Sequence, residues 1–526
     1  MDSPQGSEAK PANRPKSLLL AMLKLVALLF LLYCFICSLG LMGSSFQLVG
    51  GRAAGKAMAN SKLLANPVAQ LMIGVLVTVL LQSSSTTTSI VVGLVGAEVI
   101  PRVSLAIPMV MGANIGTSVT NTIVSLGQGG DRRQFRRAFA GATVHDMFNW
   151  LSVLVLLPLE VGTGYLEHLT AFLVQNIKPT NGTKPPKLLK ALTGPVLKKI
   201  VQVNKTALHE LSKGGEANAT DYHTLLKKCD DCSFLDKNWH IFARWDVADS
   251  VAGTILVLVS LVTLVLCLVG LVKLLSSLLR GHILKVVNKV VNGDLPGVLK
   301  YFTGYVAMVV GMVITMLVQS SSVFTSALTP LVGLGVLELR RMYPLTLGAN
   351  VGTTITGILA ALSTDPSKLH DTLQIALAHL FFNVSGIALF YPLPFMRHAP
   401  ISLAKLLGRT TAKYRWFAVF YLLLMFVLLP LFVFGISLAG ALVFAIVGGM
   451  SLSTLFIVAI INVLQAKKPD FLPNFLRNWD FLPMPLHSLG PYDRAVSALL
   501  KLVPCCSRQS QVEPIPQERI VITEKY

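Results

Sequence analysis

The chain has 526 residues, of which 53% are hydrophobic and only 13% charged, with a mean hydropathy of +0.65. Soluble proteins carry about a quarter of their residues as charges, so that class is excluded. The formal net charge of +20 does not indicate nucleic acid. Its basic residues stand in short loops beside apolar runs, the pattern that orients a membrane protein.

Residues 1–16 form a polar tail with Lys10, Arg14 and Lys16, expected on the cytoplasmic side. The run Ser17–Leu41 is long enough to cross a bilayer, so 17–46 reads as a first span rather than a cleaved signal. Segment 67–160 then carries polar strings inside apolar sequence: Gln82-Ser83-Ser84-Ser85, Gly112-Ala113-Asn114-Ile115-Gly116-Thr117, and His145 with Phe148 and Asn149. All three return in the same order in segment 303–395, as Gln319-Ser320-Ser321-Ser322, Gly348-Ala349-Asn350-Val351-Gly352-Thr353, and His379 with Phe382 and Asn383. The chain contains a duplicated membrane unit, and many secondary transporters build their substrate site where two such units meet.

Between the copies, 161–245 is a polar loop with acceptor sequons at Asn181, Asn204 and Asn218, which places it outside as a glycosylated loop. A fourth match at Asn383 lies in apolar sequence and is discounted. Segment 246–300 holds a span over Val247–Leu275 and a cytoplasmic amphipathic stretch with Lys273, Arg280, Lys285 and Lys289. Segment 396–466 opens with the acid-free basic loop Arg397–Arg415 and continues into two spans near Phe417–Leu438 and Leu442–Leu464. The tail 467–526 then lies inside, as does the N-terminus.

The first copy is flanked by outside loops and the second by basic, inside ones, so the copies are expected to be inverted. Asp131–Arg137 looks cytoplasmic by charge, yet two apolar segments separate it from the outside start. One of them is therefore a re-entrant hairpin, and Pro67–Ile100, interrupted over Gln82–Ser89, is the better candidate. The expected fold is an all-α membrane protein: two inverted-topology repeats with re-entrant helical hairpins and broken helices, plus flanking scaffold spans.

The hydroxyls of Gln-Ser-Ser-Ser can donate to anionic oxygens and offer lone pairs to a hard cation, and half-helix N-termini between them favour an anion. The competing reading is that Ser and Thr bond to carbonyls one turn back or hold helices together. Asp146, before the apolar run Leu151–Leu159, marks an ion or proton pathway if it is intramembrane, or an interfacial carboxylate if it is near a helix end. Its counterpart in the second copy is Leu380. His145 and His379 read as hydrogen-bonding core residues, because no Cys or further His stands beside them at metal-ligand spacing. No transition metal is expected. An enzyme built from Ser84, His145 and Asp146 is set aside: helix neighbours point about 100° apart and no nucleophile elbow is present.

The two Gln-Ser-Ser-Ser strings, Phe139–Asp146 (FAGATVHD) and Ala412–Val419 (AKYRWFAV) resemble the type II sodium-dependent phosphate cotransporters, solute carrier family 34. The resemblance covers about Tyr33 to Leu489 and is weakest in the extracellular loop and both tails. It implies electrogenic Na+-coupled symport of inorganic phosphate, preferably HPO₄²⁻, across the plasma membrane, apically in epithelium. The alternatives are an electroneutral carrier or an anion channel. Phosphate would sit between the hairpins on Gln82, Ser83, Ser84, Ser85, Gln319, Ser320, Ser321 and Ser322, with Arg132 nearby. The positions matching sodium sites are Gln128, Asp131, Asn149, Thr353 and Thr356, to which Asp146 and Ser320 are added. Electrogenic members resemble this chain in having Ala140, Ala142 and Asp146. No cofactor is implied beyond Na+ as coupling ion.

Ala349 is a departure, since many members have Ser there, and it removes one oxygen from a sodium site. The family's loop disulfide implies a Cys229–Cys232 bridge in an oxidising compartment, with a metal pair as the alternative. Cys34, Cys37 and Cys267 read as inert core residues. Cys505 and Cys506 are candidates for palmitoylation or plain thiols. The ending Thr523–Tyr526 is a poor match to a PDZ ligand, so that partner is not carried over.

Overall fold

The computed structural model describes residues 14–59, 66–96, 100, 102–175, 188–204, 206–207, 224–229, 236, 239–243, 247–278, 292–362, 368–484 and 488–501. Among them the secondary structure is helical, apart from an isolated bridge between Val203 and Leu226. Eight of the described helical segments are long and apolar enough to cross a membrane.

Helix α1 runs Arg14–Ala59. The helix runs past the expected span 17–46, carried on by helix-forming Ala53, Ala54, Ala57 and Ala59. In the first copy, α2 (Pro67–Leu81) and α3 (Ser84–Gly96) are separated by Gln82 and Ser83. The interruption is shorter than the Gln82–Ser89 stretch expected. Thr87 and Ser89 donate to the carbonyls of Ser83 and Ser85 one turn back, so these hydroxyls ride on the helix rather than break it. There follow α4 (Val103–Gly116), α5 (Val119–Leu126), α6 (Arg132–Thr163) and α7 (Tyr165–Val174).

After α8 (Leu188–Ile200) and α9 (Asp249–Leu278), the second copy repeats the plan. Helices α10 (Thr303–Val318) and α11 (Ser321–Leu334) flank Gln319 and Ser320, and α12 (Leu339–Ala361) and α13 (Leu369–Phe390) follow. Helix α12 is continuous where its counterpart is divided into α4 and α5. Helix α14 (Pro394–Lys413) then packs along α6. Next come α15 (Phe417–Leu423), a π-helical turn Leu424–Leu428 and α16 (Leu429–Leu438).

Paired glycines let the helices of each copy touch backbone to backbone. A Cβ on Gly74 would strike Met109, and one on Gly112 would strike Leu71; Gly311 and Gly348 do the same with Leu345 and Met308. The second helix of each hairpin packs against the other copy, α3 on α12 and α13, α11 on α5 and α6. Helices α1 and α9 pack together, and α2 is flanked by α1, α4 and α16.

Outside the spans, the Asp249 carboxylate caps the loop by accepting from Leu225 and Leu226 N–H. Before α10, burial opposes ionisation of Asp294, but Arg341, Arg340 and Lys300 together hold its carboxyl below the usual range. A second compact unit begins at Phe444. It holds most of α17 (Ala441–Lys467) and the short α18 (Gly490–Lys501). Within it, Trp479 Nε1 donates to Asn462 and Gln465 to the Leu476 carbonyl. The amphipathic residues Arg280, Lys285 and Lys289, the thiols Cys505 and Cys506, and the ending Thr523–Tyr526 lie outside the described residues.

Candidate functional site

The two Gln-Ser-Ser-Ser strings make the same backbone event. Gln82 and Gln319 have φ of 52° and 56° and are the non-glycine residues with positive φ among those described. Each ends one helix in the left-handed conformation, a strained state for a long side chain that marks functional sites. The following serine starts the next helix. Ser83 Oγ accepts from Thr86 N–H at 3.2 Å, and Ser320 Oγ accepts from Val323 N–H at 3.3 Å. Because the oxygen is used as a cap, each hydroxyl keeps its proton for an outside acceptor.

Two adjacent residues of α5 bring the hairpins together. Thr120 donates to Gln82 Oε1 at 2.9 Å. Asn121 Oδ1 accepts from Thr325 at 2.8 Å and Ser326 at 2.9 Å, both on α11. One turn of α5 therefore holds the tip of one hairpin and the second helix of the other. Several buried polar atoms have no partner: Asn121 Nδ2 on that turn, both amide atoms of Gln128 and Arg132 Nε further along the chain, and Thr88 Oγ1 on α3. Gln128 lies against Gly333 of α11. Buried polar groups are nearly always bonded, so unmet ones suit a hydrophilic ligand.

Deeper in, the copies read each other's motifs. His145 bonds to Asn350 Oδ1, and Asn350 donates to Asn149 at 3.0 Å. Reciprocally, His379 bonds to Asn114 Oδ1 at 3.2 Å. Asn149 also reaches the Asn114 carbonyl at 2.8 Å. Both histidines are thus buried hydrogen-bonding residues, and among the described residues no cluster of His, Cys, Asp and Glu could hold a metal.

Asp146 is fully buried near the middle of α6, away from either helix end. Its Oδ2 accepts from Tyr421 at 3.1 Å, while Oδ1 has no partner. Thr353 and Thr356 donate to the Asn350 and Thr353 carbonyls, each at 2.7 Å, leaving oxygen lone pairs. Asp131 lies apart: it is exposed and caps α6 by accepting from Arg133 and Gln134 N–H. Asp131 and Asn149 are five turns apart on that helix, about 27 Å at 1.5 Å per residue, so they cannot hold one ion together in this conformation. Ala349 is fully buried.

Of the modification residues, Asn204 is half-buried, its Oδ1 accepting from Ala207 N–H. Asn181 and Asn218 lie outside the described residues. Cys229 is disulfide-bonded; Cys232 lies outside the described residues. Sequence reasoning missed Thr120, Asn121 and Tyr421 as site residues. Thr120 has an equivalent in Thr356, but Asn121 aligns with Gly357, so duplication gave no signal for it.

The Na+/Pi-cotransporter family profile matches residues 34–135 and 281–408. Sodium-dependent phosphate transport protein 2A of Ovis aries is 49% identical, covering 96% of this chain and 81% of the relative. Sodium-dependent phosphate transport protein 2B is 48% identical in Bos taurus (92% and 76%) and in Homo sapiens (90% and 74%). No solved structure matches the chain. The similarity extends through both motif copies and over three quarters or so of each relative, and the chain belongs to the Na+/Pi-cotransporter family.

Proposed function

We propose that this chain is an electrogenic symporter that carries inorganic phosphate, preferably HPO₄²⁻, into the cell with Na+. The observation that carries the reading is the pairing of Thr120 with Gln82 and of Asn121 with Thr325 and Ser326. It brings both hairpins to one turn of α5, on which Asn121 Nδ2 is buried without a partner. The names of the relatives supply the substrates.

Phosphate is held by the capping hydroxyls of Ser83 and Ser320, by Ser84, Ser85, Ser321 and Ser322, by the Gln82 and Gln319 amides, and by Arg132. The N-termini of α3 and α11 add the positive ends of two helix dipoles. Sodium is held by residues among Gln128, Asp131, Asp146, Asn149, Thr353, Thr356 and Ser320, of which Asp131 stands at the exposed start of α6. The copies are inverted, with re-entrant hairpins. Helix α2 has 15 residues, about 22 Å against a hydrocarbon core of roughly 30 Å. Access alternates as the copies rock about the site.

Moving HPO₄²⁻ with net positive charge needs at least three Na+, because two only neutralise the anion. Each net charge then gains about 2.3 kcal/mol per 100 mV. The carrier is a glycoprotein of the plasma membrane, apical in epithelium, with both termini inside and a Cys229–Cys232 bridge outside. It needs no cofactor.

The test is voltage clamp on expressing cells, with phosphate added in Na+ medium and then in choline medium. An inward current that needs both ions is expected. Labelled phosphate entering with Na+ but without current makes the carrier electroneutral. Phosphate current in choline makes it a channel, and no uptake from surface-expressed protein removes the substrate assignment.

A further inference from the structure

We infer that Tyr421, in neither motif copy, is a positioning residue for the Asp146 carboxylate and sets the strength with which that carboxylate holds Na+. The inference rests on the proposed role of Asp146 as a sodium ligand.

Tyr421 sits on α15 and is 4% exposed; Asp146 on α6 is 0% exposed. The Tyr421 hydroxyl donates to Oδ2 at 3.1 Å, leaving Oδ1 bare. Ser118 is also within hydrogen-bonding reach of the carboxylate. Its single proton is claimed elsewhere. Asn350 donates its Nδ2 to Asn149, so its Oδ1 faces His145, and a neutral His145 best meets it with the proton on Nε2, since Asn149 Nδ2, also near that nitrogen at 3.3 Å, already donates to the Asn114 carbonyl at 2.8 Å. That leaves Nδ1 as an acceptor, 3.0 Å from Ser118, and Ser118 donates there. Tyr421 is then the hydroxyl that fixes the carboxylate.

The ring is itself fixed. It packs edge-on to Phe139, two turns before Asp146 on the same face of α6, at 5.7 Å, and to Phe426 at 6.3 Å. Phe426 belongs to the π-helical turn Leu424–Leu428, where Leu429 N–H bonds back to Leu424. Such turns interrupt helices frequently at functional sites. Here the turn brings a second aromatic ring onto Tyr421 from its own helix. A carboxylate with one oxygen tied and one free presents a single directed ligand to a cation. Without the tie it rotates, and ordering it again falls to the ion.

The test is labelled phosphate uptake against Na+ concentration, per surface molecule. Tyr421→Phe removes one oxygen and keeps the ring. It is expected to raise half-activating Na+ by about three- to tenfold, the scale of one net intramolecular hydrogen bond. In an Asp146→Asn background the same change is expected to add less than twofold. An unchanged half-activation in the first background overturns the inference, and so does an equal shift in both, which would make the ring a packing element. If Tyr421→Phe does not reach the surface, Tyr421→His keeps a ring and a donor. Half-activation within about twofold of the parent supports the donor role, and a tenfold shift overturns it. Absence of Na+-dependent uptake in the parent chain sinks the underlying reading instead, so the two failures are told apart.

Discussion

The two hairpins share a backbone and differ in what surrounds it. Gln82 and Gln319 adopt the same left-handed turn, followed by the same capping serine. Yet α2 is enclosed by α1, α4 and α16, with ten of its 15 residues buried, whereas only Gly311 and Thr315 of α10 are buried. The outer face of α10 presents Val306, Val309, Val313 and Leu317. The side-chain ties differ as well. Gln82 is held by Thr120 and bonds to Val79, while Gln319 makes no side-chain hydrogen bond among the described residues. The second helix of the second hairpin is instead tied through Asn121; the equivalent Gly357 leaves Thr88 without a partner. One hairpin is anchored at its tip and the other at its shaft. A duplicated sequence has thus kept its chemistry and divided its anchoring.

Asn121→Leu should give the largest effect. It strips the acceptor from Ser326, while Thr325 keeps the Ser321 carbonyl, and a buried polar atom left unmet costs about 1–3 kcal/mol. Na+-dependent phosphate uptake per surface molecule should fall by about tenfold or more; a loss under twofold would mean the shaft needs no anchor. Next come Gln82→Gly and Gln319→Gly. Glycine accepts the positive φ, so both variants should reach the surface. Loss of two hydrogen bonds should cost Gln82→Gly about fivefold in uptake, and Gln319→Gly about half of that or less. Equal losses would break the distinction between tip and shaft. Gly357→Ser is the mildest. A Cβ there would lie 3.2 Å from Thr88 Cγ2, tight but against a side-chain methyl. The new hydroxyl stands beside an unmet one, so the melting stability of purified protein should move by less than about 1 kcal/mol. A loss above about 2 kcal/mol would show that this junction has no slack.

Much of this could be read in the sequence because duplication separates chemistry from chance. Gln82 and Gln319 announced themselves as polar residues repeated inside apolar sequence, and the break fell where they stand. The extent of the break was less legible. Serine and threonine beyond Ser83 read as helix-breaking, but in apolar surroundings their hydroxyls settle on carbonyls one turn back and the helix continues. Asp146 was conspicuous by its cost. Its partner was not: Tyr421 is 275 residues away, in an apolar run where an aromatic residue is unremarkable. Asn121 lacked a repeated counterpart for the same reason that it matters, since it is where the copies diverged. Asp131 was placed with the sodium ligands by resemblance alone, and local helix geometry sets it far from Asn149.

The crossed histidine and asparagine bonds bear on how such a chain came to exist. His145 bonds to Asn350 and His379 to Asn114, so each buried imidazole takes one of its partners from the other half. In hydrocarbon there is no water to stand in for a missing partner. A half-length ancestor with these motifs would have gained by pairing with a second chain, each offering its asparagine to the other's histidine. Fusion into one polypeptide then turned an association that depended on concentration into a permanent one, and left positions such as Asn121 and Asp146 free to differ between the halves.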